Sequence, residues 1–170
     1  MESVRRAFGF PAVVNEKAAR VVAGGVALIA GTALVTGWLW LSVVLVVGFA
    51  LRVAAGPRWS PLGRLASGVV APRLGRPKMV PGPPKRFAQT VGLVLTLAAS
   101  GFLVAGVPLV TEVLLGVLLA FAALEAVVGF CAGCWVFAQL MRLGLIPADV
   151  CAACADISLR QHEAASSLTG

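Results

Sequence analysis

Between Arg20 and Arg52, and again between Arg86 and Arg142, this chain of 170 residues carries no basic residue. Gaps of that length leave few folds open. Only 12% of the residues are charged and 59% are hydrophobic, where an average soluble domain is about 25% charged. With a mean hydropathy of +0.96, the expected class is an all-α integral membrane protein. Crossing ~30 Å of hydrocarbon takes about 20 apolar residues per helix. Four runs approach that length: about Lys17–Thr36, Trp38–Val53, Phe87–Val107 and a last one starting near Thr111.

These runs pair into two antiparallel hairpins, because only Gly37 separates the first two and Pro108 lies between the other two. Trp38 and Trp40 at the first turn suit the aromatic belt of an interface. Asn15 is placed to cap the first helix. Residues 1–16 read as a short amphipathic approach with Phe8, Phe10 and Pro11 at the interface, residues 17–145 as the four-helix membrane domain, and 146–170 as a polar tail with a disordered end. The loop 54–87 holds seven prolines. Arg64–Val70 suits a short helix within it, and Arg76–Lys85 an extended or polyproline-like path. The last apolar run has no breaker before about Leu145, so a single helix of some 35 residues, about 50 Å long, is expected to extend past the interface.

Eight of the fourteen basic residues (Arg52, Arg58, Arg64, Arg73, Arg76, Lys78, Lys85 and Arg86) lie in or beside that loop, and Arg5, Arg6, Lys17 and Arg20 precede the first run. This is the positive-inside pattern, which orients helices and meets anionic headgroups. A nucleic-acid surface is not expected from charge distributed this way. No secretory signal is evident, since the first apolar run leads straight into the second. The topology expected is a cytoplasmic-membrane protein with both termini and the basic loop inside.

All four cysteines fall in two CxxC pairs, Cys131-Ala-Gly-Cys134 and Cys151-Ala-Ala-Cys154, with sixteen residues between them. Both pairs land at the cytoplasmic interface. On a helix Cys131 and Cys134 are i and i+3 and share a face. Gly129 and Gly133 beside them permit a kink or a close backbone approach. Four thiolates suit zinc or an iron–sulfur centre, and they equally suit a dithiol relay passing electrons or sulfur between the pairs. Cytoplasmic thiols rest reduced, which argues against a permanent disulfide. Basic residues nearby would favour thiolate in either role. CAACAD carries neither the Pro nor the Gly frequent around zinc-knuckle cysteines, which tilts the reading towards redox. Cysteines also occur in apolar helices simply as small hydrophobes.

Glu125 stands in the last apolar run, where an ionisable group is costly. Nine residues before Cys134, it would point away from that thiol on a straight helix. It is expected to pair with a group on another helix or to stay protonated. Glu112, near the outer interface, and the lone His162, in the tail, read as solvated. Ala23, Ala27 and Gly31 form a small-residue packing stripe that the second helix of the hairpin can fill, and self-association is left open. There is no Ser/His/Asp set, phosphate loop or haem ligand pair.

Gly56-Pro57-Arg58 with Ser60-Pro61, Arg86-Phe87-Ala88-Gln89, and Gly129-Phe130-Cys131-Ala132-Gly133-Cys134, in this order and spacing, resemble a bacterial family of small multipass membrane proteins classed as a domain of unknown function. The resemblance covers about residues 10–140. It implies a four-helix membrane domain with a functional GFCxGC segment, and thioredoxin-like or sulfurtransferase proteins as company. Cys151 and Cys154 lie beyond it. The reading that results is a membrane thiol protein, a thiol–disulfide oxidoreductase or sulfur-transfer component, with Cys131/Cys134 as membrane-proximal dithiol and Cys151/Cys154 as exchanging pair. Two alternatives stand beside it: a tetracysteine zinc or iron–sulfur site that organises a docking surface, and a structural subunit with incidental cysteines.

Overall fold

Residues 13–56, 59–73, 75–76, 78–146 and 148–151 are described by the structure, a computed structural model. The interfacial residues Phe8, Phe10 and Pro11, the loop residues Pro57 and Arg58, and the tail with Cys154 and His162 lie outside them. Strand β1 (Val13–Asn15) leads into α1 (Glu16–Thr36) and α2 (Leu41–Ala55). A helical segment follows, consisting of α3 (Pro61–Leu65), a π-helical turn (Ala66–Val70) and α4 (Ala71–Arg73). Then come β2 (Met79–Pro81), α5 (Gly82–Val104), α6 (Pro108–Val127), α7 (Ala132–Arg142) and a 3₁₀ turn (Ala148–Cys151).

Three of these helices, α1, α5 and α6, are long and apolar enough to cross a membrane. Helix α2 is apolar but has 15 residues, about 22 Å at 1.5 Å per residue, short of the ~30 Å hydrocarbon thickness. Large apolar side chains face outward along all four, among them Leu28, Val47, Leu97 and Val113. The interior is built from small and branched residues: Val26, Ala30 and Ala33 of α1, Leu45 and Phe49 of α2, Ala99 of α5, and Leu115 and Leu118 of α6. Two interhelical hydrogen bonds add directionality to this packing. Ser100 Oγ donates to Ser42 Oγ at 2.9 Å, and Thr111 Oγ1 donates to the Ala99 carbonyl at 2.9 Å. Such interhelical bonds contribute about 0.6 kcal/mol each in a membrane.

Sequence neighbours are not always packing neighbours. The principal partner of α1 is α6, whereas α2 packs mainly on α5. The small-residue face of α1 is accordingly filled by α6, with Gly24 towards Ala126 and Gly31 towards Leu119. The second helix of the hairpin is not its chief occupant.

The start of α1 agrees with expectation: Asn15 Oδ1 accepts from the Lys17 backbone N–H at 3.0 Å. Between the hairpins the chain is more ordered than a polyproline path. β2 pairs antiparallel with β1, Val14 opposite Val80, and Glu16 pairs with Lys78 at 2.7 Å. Helix α5 begins at Gly82, five residues before Phe87. Pro83 and Pro84 occupy its first turn, where their missing N–H groups cost nothing. That earlier start brings Lys85 onto the helix.

The single last helix is corrected. It ends at Val127, and α7 begins only at Ala132. Gly129 takes φ +80° and donates its N–H to the Glu125 carbonyl at 3.0 Å, which is the left-handed termination that glycine favours. Helix α7 does not project beyond the bundle but folds back against α5.

Candidate functional site

The thiol pair sits in the break between α6 and α7. Cys131 is in extended conformation as the N-cap of α7, and Cys134 lies in its first turn, so the two are not successive positions of one continuous helix. They meet nonetheless: Cys134 Sγ donates a hydrogen bond to Cys131 Sγ at 2.8 Å. Both are half-buried and free. The Cys131 carbonyl accepts from the Trp135 N–H at 3.0 Å, which closes the first turn and holds the cap. A sulfur at a helix N-terminus faces unpaired N–H groups and the positive end of the helix dipole, which stabilise thiolate.

Two glycines divide the labour here. Gly129 makes the break. Gly133 lets α7 approach α5 so closely that a Cβ at this position would overlap the backbone of Ala88. The docking continues through Phe87 and Phe137, whose ring centroids are 5.7 Å apart, with Phe137 buried.

Glu125 does pair with another helix. Its Oε1 accepts from Lys85 Nζ at 2.5 Å, with the two side chains only 17% and 8% exposed. Lys85 belongs to the first turn of α5 and Glu125 to the last turn of α6, so the pair bridges the helices immediately before the thiols. Because the helix breaks at Gly129, the straight-helix argument that aimed Glu125 away from the cysteines no longer applies. Both charges act on Cys131.

The two thiols are held unequally. The hydrogen bond from Cys134 pulls the Cys131 thiol below its ordinary range, and the Lys85 ammonium adds to that; burial and the Glu125 charge work against it. The same hydrogen bond, with burial, pushes Cys134 up. Within the pair, these effects favour negative charge on Cys131 and retention of the proton on Cys134.

Two arginines complete this end. Arg20 donates from Nε to the Ala126 carbonyl at 3.2 Å and from Nη2 to the Val127 carbonyl at 2.6 Å, placing a cation on the carbonyl end of α6. Arg52 is buried and donates from Nε to Gln89 Oε1 at 2.8 Å, with Nη1 3.4 Å from Ser60 Oγ. Its guanidinium lies 4.5 Å from the Phe49 ring centroid, and its Nη2 has no hydrogen-bond partner among the described residues.

Of the residues singled out in the sequence, Cys131, Cys134 and Glu125 come together. Cys151 is buried at the end of the 3₁₀ turn. Cys154 and His162 lie outside the described residues, among which no three His, Cys, Asp or Glu side chains form a metal-binding group. Glu112 is exposed on α6. Sequence reasoning missed Lys85, Arg20, Arg52 and Gln89 as members of this end. One signal was available for Lys85: Pro83-Pro84 marks a helix start, which removes the lysine from the loop. The three short motifs also converge, since Ser60 and Gln89 both contact Arg52 and GFCAGC forms the break.

A family model described as Domain of unknown function (DUF4395) matches residues 14–142, and the chain belongs to that family. No curated protein and no solved structure matches it.

Proposed function

We propose that this member of the DUF4395 family is a membrane thiol protein whose Cys131/Cys134 dithiol carries out thiol–disulfide exchange, the same nucleophile being suited to accept sulfane sulfur. The observation that carries the reading is the 2.8 Å Sγ–Sγ contact at the start of α7, beside the buried Lys85–Glu125 pair. Closing it to a covalent bond of about 2.05 Å takes roughly 0.8 Å. The Cys131 thiolate attacks a substrate disulfide, forming a mixed disulfide and expelling one substrate thiolate. Cys134, deprotonated in turn, displaces the second, leaving a Cys131–Cys134 disulfide and a substrate reduced by two electrons. A thioredoxin-like or sulfurtransferase protein is the partner this chemistry suits, and Cys151/Cys154 the second exchanging pair.

The basic residues flanking α1 and between α2 and α5 support a cytoplasmic-membrane location with this end inside, α2 serving as a fourth, short crossing. A zinc or iron–sulfur clip is weaker on geometry. Tetrahedral ligation at about 2.3 Å separates sulfurs by about 3.8 Å, so the pair would have to open by roughly 1 Å.

Thiol counting and metal analysis on the purified chain test the proposal. Expected are metal-free protein, a disulfide that forms and is reduced between Cys131 and Cys134, and a mixed disulfide with a thioredoxin-like protein trapped by Cys134→Ser. Stoichiometric metal released by Cys131→Ser would overturn the redox reading in favour of the clip. Unchanged exchange after both substitutions would leave the cysteines incidental.

A further inference from the structure

A cleft of about 250 Å³ runs between α1, α2, α5, α6 and α7, and Cys131 is part of its lining. Its walls are almost wholly apolar, with Phe49, Phe87 and Phe121 supplying aromatic faces, and its polar contributions come from Gln89, Glu125 and Cys131 at one end. Gln89 gives its Oε1 to Arg52, so its NH₂ is left as a donor. Three of the enclosing helices are long and apolar enough to cross a membrane, so a ligand entering from the bilayer is lipid-soluble. Drug-sized ligands occupy pockets of about 300–1,000 Å³. This cleft is smaller, suited to a one- or two-ring headgroup whose tail remains in lipid.

We propose that the cleft binds a lipophilic quinone and that Cys131/Cys134 reduces it. This inference rests on the dithiol reading above and names the electron acceptor. The chemistry is set by what surrounds the sulfurs. With Cys131 as thiolate and Cys134 protonated, the pair gives up two electrons and one proton as one Sγ–Sγ bond forms and one Sγ–H bond breaks. A quinone takes up two electrons and two protons as its two carbonyls become hydroxyls, the second proton coming from water. The Gln89 NH₂ is the hydrogen-bond donor for one carbonyl, and the aromatic walls accept a flat ring. An acyl chain would fill the apolar part but would make no use of the polar end or of the thiols.

Decylubiquinone is the suitable probe, because its fully substituted ring resists direct thiol addition. The reduced full-length protein, in detergent and without oxygen, is expected to convert one equivalent of decylubiquinone to the quinol for each Cys131/Cys134 pair lost to alkylation, at a rate that saturates with quinone. Equilibrium dialysis separates binding from chemistry: Cys131→Ser/Cys134→Ser retains one equivalent of quinone. Adding Ala122→Phe or Val136→Trp, each filling the cleft from a different helix, weakens retention at least tenfold in protein whose helicity by circular dichroism is unchanged. Gln89→Leu raises the quinone KM several-fold. Non-saturating reduction, or retention equal in the filled variants, overturns the proposal, the latter because the cleft then holds only lipid. A pair that cycles with dithiothreitol and glutathione disulfide but not with decylubiquinone sinks the quinone while leaving thiol exchange standing. A pair that cycles with none of them sinks both.

Discussion

The two ends of the helical bundle are built differently. At one end the turns Gly37–Trp40 and Ala105–Val107 join helices through backbone caps: Gly37 and Gly106 take positive φ, and Pro108 opens α6. Their side chains are apolar or aromatic, with Trp38 and Trp40 exposed and 6.5 Å apart. At the other end stand Arg20, Arg52, Lys85, Glu125 and the thiol pair, most of them buried or half-buried. Closing apolar helices into a bundle needs only the first kind of end. Placing charge inside a membrane helix is expensive and often marks function, so the contrast supports the thiol chemistry proposed for this end.

Breaking the Lys85–Glu125 bridge is the strongest test of that contrast. Lys85→Ala leaves a buried carboxylate without its partner, and thermal unfolding in detergent should show a loss of about 3–5 kcal/mol. Lys85→Met with Glu125→Leu should recover most of it, because two apolar side chains of similar size leave no unpaired charge. The double variant removes both charges that act on Cys131, the Glu125 carboxylate that raises its thiol and the Lys85 ammonium that lowers it, so it should not raise the onset of Cys131 alkylation. In wild type, alkylation of Cys131 is expected to begin below the ordinary thiol range near pH ~8.5, ahead of Cys134. Cys134→Ala, which removes the hydrogen bond, should move the onset upward in pH, and Lys85→Met should move it the same way by less. An unmoved profile would mean that neither group tunes the thiol.

Gly133→Ala comes next. Its methyl meets the Ala88 backbone, and an overpacked contact costs about 1–3 kcal/mol. Here the sharper readout is thiol reactivity, since α7 must move away from Lys85. Arg20→Met, which uncaps the carbonyl end of α6, should cost about 1 kcal/mol and increase hydrogen exchange at Val128 and Gly129. Ser42→Ala lies on the far side of the comparison. It removes one hydroxyl of a pair and should change stability by only about 0.6 kcal/mol, with no effect on alkylation rates.

The membrane class, the course of α1, the cap at Asn15 and the turn at Pro108 were legible in sequence because hydropathy and helix-capping chemistry are local. Gly129 and Gly133 were legible as special positions, but which one breaks the helix was not. A glycine that adopts positive φ and a glycine that admits a neighbouring backbone look alike until the neighbour is known. Lys85 was misread for a related reason: one residue's membership of loop or helix depends on where β2 pairs with β1, a contact between positions more than sixty residues apart.

What the sequence alone determined is a set of apolar helices, the separation of their charges, and two cysteines three residues apart. Tertiary structure decided that α1 lies against α6, that α7 turns back onto α5, and that a lysine from one helix and a glutamate from another meet beside the thiols. The physical reason is range. Hydropathy and φ preference act within a turn or two of chain, whereas the ionisation of Cys131 also depends on Lys85, carried by a helix distant in sequence.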